Sequence, residues 1–215
     1  MSLAQTAEQE LFAASLHDVL SGAEIPAAAR QWANGNPAAG LALWRKLADL
    51  GVTALAVPEC HGGAGASLLD VMIACEELGH HALPGPVAES LAAVPSLLVA
   101  LPEPAPAPDW LTRLAAGDLI ATMALPPQLP YAADASVAGL VILAEGDAVW
   151  LATAGPSHRS VDPARALHDA GRGELLVRGP AVTAAATRAL DAGALACAAQ
   201  LLGAEIGRAS CRERV

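Results

Sequence analysis

The spacing of apolar residues changes after Gly117, and that change restricts the folds open to this chain. Upstream, apolar side chains recur at helical intervals. Phe12, Leu16, Val19 and Leu20 share one face of a helix predicted over 5–20, and Leu43, Leu47 and Leu50 form a stripe flanked by Trp44. Leu68, Val71, Met72, Cys75 and Leu78 share a third face. Downstream, the runs LIATMALP and AGLVILAEGDAVWLATA are short and rich in Val, Leu, Ile and Thr, with Glu145-Gly146-Asp147 placed as a hairpin turn, and GELLVRG is a further strand candidate. Helical spacing returns over 185–207, with Leu190, Ala194, Cys197 and Leu201 in register.

Local signals sharpen the helix ends. Pro37 suits a first helical position and Gly51 a C-terminal cap. Ser67 and Asp70 form a capping box with a short acid, and Gly79 is expected to end that helix. Residues 86–101 form a fourth helix, bent or restarted at Pro95. The proline-rich connection 102–108 leads to Asp109, which opens a short helix. The expected class is α+β multidomain: an N-terminal all-α domain (1–117), a small middle β domain (118–183) and the first helix of a C-terminal bundle (184–207). The tail 208–215 is aberrant, because a helix with an apolar face is followed by nothing to bury it. A truncated or misread C-terminus is the expectation.

Composition narrows the function. The chain of 215 residues is 54% hydrophobic but only 3% aromatic, so its core is built from Ala, Leu and Val, and small side chains favour close helix packing. A formal charge of -10 with a single lysine, Lys46, argues against a nucleic-acid partner. No apolar run reaches the roughly 20 residues of a membrane span, and the N-terminus lacks a signal pattern, so a cytoplasmic location is expected. Cys60, Cys75, Cys197 and Cys211 show no paired spacing, and no metal site is expected. A helix over 67–79 holds Cys60-His61 about 20 Å from His80-His81. No G-x-S-x-G motif occurs, and the adjacent Glu76 and Glu77 point in different directions. The stretch PECHGGAGAS lacks the lysine of a phosphate loop and the third glycine of a dinucleotide fingerprint. It reads as a sharp turn with glycines at positive φ; a nucleotide module built on it would lose affinity on Gly63→Val.

Residues 43–90 carry Trp44, Leu50-Gly51, Pro58-Glu59, Gly62-Gly63-Ala64-Gly65 and Glu76-Glu77-Leu78-Gly79 in that order. This pattern resembles the acyl-CoA dehydrogenase family. The resemblance implies FAD as cofactor, an acyl-CoA substrate undergoing α,β-dehydrogenation, an electron-transfer flavoprotein or similar acceptor, and a homo- or hetero-oligomer. It implies cofactor contacts at Ala124, Leu125 and Pro126, and substrate contacts at Pro86, Val87, Ser90 and Leu91. The family's catalytic base sits in the C-terminal domain, so no catalytic residue is assigned and the chain as it stands is expected to be inactive. The family's Thr-Glu at the strand end is replaced here by Pro126-Pro127, and Pro126 has no backbone donor. A flavin loop of the Trp-Ile-Thr-Asn kind is not evident either. These departures keep a second reading open, a non-catalytic partner subunit sharing a flavin site.

Overall fold

The computed structural model describes residues 5–102 and 107–212. Four helices come first: α1 (Ala7–Ser21), α2 (Ile25–Ala33), α3 (Ala38–Asp49) and α4 (Leu68–His80). A turn of π-helix (Glu89–Ala93) runs directly into α5 (Val94–Ala100), with Pro95 in the first turn, and α6 (Ala107–Ala115) follows. Five strands then form one sheet in the order β1-β3-β4-β5-β2: β1 (Ala121–Ala124), β2 (Ala132–Ala133), β3 (Leu140–Glu145), β4 (Ala148–His158) and β5 (Leu167–Arg178). Only β1 and β3 pair in parallel. The long helix α7 (Pro180–Arg212) closes the order, extending beyond the expected 185–207 at both ends.

The predicted caps form where the side chains allow. The Ser67 hydroxyl accepts from the Asp70 N–H while the Asp70 carboxylate accepts from the Ser67 N–H at 2.9 Å. A bond from the Ser67 hydroxyl to the Asp70 carboxylate at 2.6 Å, then one from Gln9, hold the Asp70 carboxyl below the usual range. Gly51 adopts φ 77° just past α3, as a C-terminal cap requires. The hairpin turn falls at Gly146-Asp147, with Glu145 paired to Ala148. In the glycine stretch, Gly62 and Gly65 have φ 78° and 55°. Gly63 is required for a different reason: a Cβ there would enter the Val57 carbonyl. Backbone bonds from Ala64 to Ala54 and from Gly65 to Val57 spend these amides inside the turn rather than on a ligand.

Two expectations are corrected. Gly79 does not end α4; it lies inside the helix where the backbone of Gln200 on α7 crosses. Second, the 28-residue stretch Pro180–Gly207 is long and apolar enough to cross a membrane by length and composition, although charged residues interrupt it. Helix α7 leaves the face holding Leu190, Ala194, Cys197 and Leu201 half-buried or exposed. It buries Ala185, Ala189, Ala192, Ala196 and Ala199, while Leu195, Leu201, Leu202 and Ile206 are 40–64% exposed. Small residues face inward because α7 meets α4 backbone to backbone. A methyl group at Gly203 would strike the Glu76 carbonyl, and one at Gly207 the His80 carbonyl.

One core cluster joins Leu16, Leu20, Leu47, Leu78 and Leu91 to Ala192, Ala196 and Ala199 of α7. A second joins Leu97, Leu111 and Leu114 to Met123 and Ile142 of the sheet and to Val182, Ala185 and Ala189. Helix α7 is therefore shared by both. Helix α2 also ties the helical layer to the sheet. Trp32, buried on α2, donates its indole N–H to Asp134 Oδ1 at 3.2 Å, in the connection after β2.

Asp134 is almost wholly buried, and its Oδ2 has no partner. Burial pushes its carboxyl above the usual range, against the bonds from Trp32 and from the Ala166 N–H. The folded state thus holds a proton that the unfolded chain has already lost. Stability accordingly falls as pH rises from the ordinary aspartate range through the folded value, then levels. Asp134→Asn should retain the acceptor at Oδ1 and abolish that fall. Urea unfolding of both proteins across a pH series checks it: the stability of the wild type relative to the variant should fall as pH rises and then level.

Candidate functional site

A cavity of about 320 Å³ opens where the π-turn, the sheet and α7 meet. Its walls are Ala88, Glu89 and Ala93 from the π-turn segment and Met123, Leu125 and Leu129 around the end of β1. Tyr131, Leu167, Leu190, Gly193 and Ala194 also line it, beside Gln128 and Cys197. A larger surface cleft of about 560 Å³ lies between α3 and α6, but Arg45, Asp49, Arg113 and Asp118 line it with both signs of charge. The smaller cavity is the better ligand site: it is largely apolar, with few polar groups that converge.

Those groups are Glu89 and Arg165. Glu89 is 7% exposed and is the one carboxylate on the cavity wall; the Arg165 guanidinium lies 3.3 and 3.4 Å from its two oxygens. Arg165 is placed by a relay of backbone and side-chain bonds. Asp134 Oδ1 accepts from Trp32 and from the Ala166 N–H at 3.1 Å, and the Asp134 N–H donates to the Ala166 carbonyl at 2.7 Å. The loop carrying Arg165 is thereby anchored to the helical layer. Sequence reasoning missed this pair. The available signal was a lone charge, Glu89, inside the apolar run 86–101; its partner lies 76 residues away.

The expected substrate residues sit behind the cavity wall. Pro86, Val87, Ser90 and Leu91 are buried and do not line it. Ser90 Oγ instead accepts from the Ala121 N–H at 3.1 Å, fastening the π-turn to β1. The residues interleaved with them, Ala88, Glu89 and Ala93, form the wall, because the π-turn rotates the face it presents.

Of the expected cofactor residues, Ala124 is buried within the sheet opposite Leu143, Leu125 lines the cavity, and Pro126 is half-buried in the following turn. The Leu125 N–H donates to the Leu129 carbonyl at 2.6 Å, and Pro126 and Pro127 have no N–H. From 125 through 127 the backbone offers no free donor, so this strand end does not fit a flavin held by backbone amides there. Elsewhere, burial pushes the Cys75 thiol up to about 12, which rules it out as a nucleophile at neutral pH.

The comparisons with known proteins agree with this architecture. The acyl-CoA dehydrogenase N-terminal domain model matches residues 6–118, and the chain belongs to the acyl-CoA dehydrogenase family. It is 34% identical over 128 residues to acyl-CoA dehydrogenase IpdE2 of Mycobacterium tuberculosis (strain ATCC 25618 / H37Rv), covering 58% of this chain and 39% of that protein. Among solved structures, a glutaryl-CoA dehydrogenase from Mycobacterium smegmatis in complex with FADH2 superposes with a TM-score of 0.70 at 16% identity, covering 93% of this chain and 62% of the other. The ChsE4-ChsE5 complex from Mycobacterium tuberculosis gives 0.67 at 20% identity, covering 94% and 65%. The chain thus spans about two fifths of the length of that curated relative.

Proposed function

We propose that this chain forms the N-terminal and middle parts, 1–117 and 118–183, and the opening helix of the C-terminal part, 184–207, of an acyl-CoA dehydrogenase-type subunit acting on an acyl-CoA thioester in the cytoplasm. The observation that carries this reading is the apolar cavity at the junction of the three parts, where an acyl chain would lie against Leu125, Leu129, Leu167 and Leu190. Pro86, Val87, Ser90 and Leu91 set the position of the wall from behind. FAD, in a complete assembly, would supply the oxidation of the Cα–Cβ bond, with an electron-transfer flavoprotein or similar acceptor downstream. The exposed Leu195, Leu201, Leu202 and Ile206 of α7 are the surface that further helices or a second subunit would cover.

A second reading, a non-catalytic subunit in a hetero-oligomer, is favoured by the strand end at 125–127, whose single amide is already bonded. Titration calorimetry with a medium-chain acyl-CoA and with free CoA tests the first reading. Acyl-CoA should bind more tightly, and Ala194→Phe, which narrows the cavity, should weaken it about tenfold while leaving free CoA unchanged, a difference of about 1.4 kcal/mol. Equal affinity for acyl-CoA and CoA would overturn it. Stoichiometric flavin absorbance in the purified chain alone would overturn the second.

A further inference from the structure

Three histidines from two helices converge at one corner of the helical layer. His17 lies in the last turns of α1, His80 is the final residue of α4 and His81 follows it. Their ring centroids are 5.1, 4.8 and 4.8 Å apart, and one ligating atom from each lies within 4.8 Å of the others. His81 Nε2 is 3.3 Å from His17 Nδ1, and Glu77 Oε2 is 3.0 Å from the same nitrogen. We propose that His17, His80, His81 and Glu77 form a binding site for a divalent transition-metal ion of the zinc class, which staples the end of α1 to the end of α4.

The geometry suits such an ion. Bonds of about 2.0–2.1 Å to a tetrahedral metal place neighbouring ligand atoms about 3.3–3.4 Å apart. The observed 3.3 and 3.0 Å separations are already near that value. The ligating atom of His80 lies within 4.8 Å of those of His17 and His81. Three imidazole nitrogens and one carboxylate oxygen are the donors that zinc accepts.

Without an ion the arrangement satisfies its own chemistry poorly. Three imidazoles in ring contact repel when protonated, and when neutral at most one proton can bridge each close pair. All three rings are half-buried, which leaves an entry path. The residues are 64 positions apart at the widest close pair, so no ligand-spacing motif announces them.

Calorimetric titration of the full 215-residue chain with Zn²⁺, and absorption spectroscopy with Co²⁺, test the proposal. One ion per chain is expected, with a rise in Tm that EDTA reverses. His17→Ala and His81→Ala should each weaken zinc binding by at least about tenfold, while His158→Ala leaves it unchanged. Cobalt should give the intense visible bands of a tetrahedral site without thiolate charge transfer. If the histidine variants fail to fold, that wild-type spectrum decides. No binding, binding that survives in the His17→Ala, His81→Ala double variant, or a thiolate spectrum would each overturn the site.

Discussion

Gly203→Ala and Gly79→Ala should each destabilise the protein by about 2–3 kcal/mol or more, the opposite sign to a glycine-to-alanine change in an ordinary helix. Alanine in a free helix interior gains up to about 1 kcal/mol over glycine. Here the added methyl groups would overlap the carbonyl of Glu76 and that of Gln200. Both obstacles are backbone inside a helix, so neither can swing aside; α4 and α7 must separate along their whole contact. Separation would open the first core at Ala196 and Ala199, which are 0% and 2% exposed. Urea unfolding measures the effect. Gly22→Ala is the control, because its Cβ meets only ordinary contacts at 3.6 Å and beyond, and stability there should hold or rise. Alanine variants at 79 and 203 as stable as wild type would mean that the two helices are not in backbone contact.

Trp32→Ala should cost about 3–5 kcal/mol, the usual range for deleting a large buried aromatic side chain. Two losses add. The ring, packed over Gly40, leaves a void, and Asp134 loses one of its two side-chain donors in a buried position. Trp32→Phe separates them. It keeps most of the volume, removes only the N–H, and should cost about 1–3 kcal/mol. That smaller cost should shrink in an Asp134→Asn background, where no carboxylate charge is stranded. Chemical denaturation of the four proteins as a double-mutant cycle gives the coupling directly. An additive cycle would show that the indole bond does no more than fill space. Because the same Asp134 oxygen anchors the Arg165 loop, Trp32→Ala should also loosen the cavity wall it never touches.

Local chemistry made much of this fold legible. Ser67 and Asp70 announced α4 because a capping box is a contact between residues three apart. Gly146-Asp147 announced the β3–β4 turn for the same reason. Helix α2 was not anticipated, although Ile25, Ala28 and Trp32 are buried at helical spacing, because nine residues give the stripe only these three members. The face of α7 that packs on α4 does not stand out in the sequence, because leucine carries the larger hydrophobic signal. The contact selects for smallness instead, and only the partner backbone reveals that. The cavity pair Glu89–Arg165 and the histidine cluster depend on chain crossings that no local pattern encodes.

The glycine crossing between α4 and α7 divides labour along a single helix. Toward its C-terminal end, the position of α7 is fixed by main-chain atoms, which are the same whatever side chains surround them. Toward its N-terminal half, Leu190 and Ala194 project into the cavity. Variation at those two positions can lengthen or shorten the space without shifting the helix that bears them. The size of the cavity can thus change while the frame stays constant, much as a fixed jaw takes interchangeable faces.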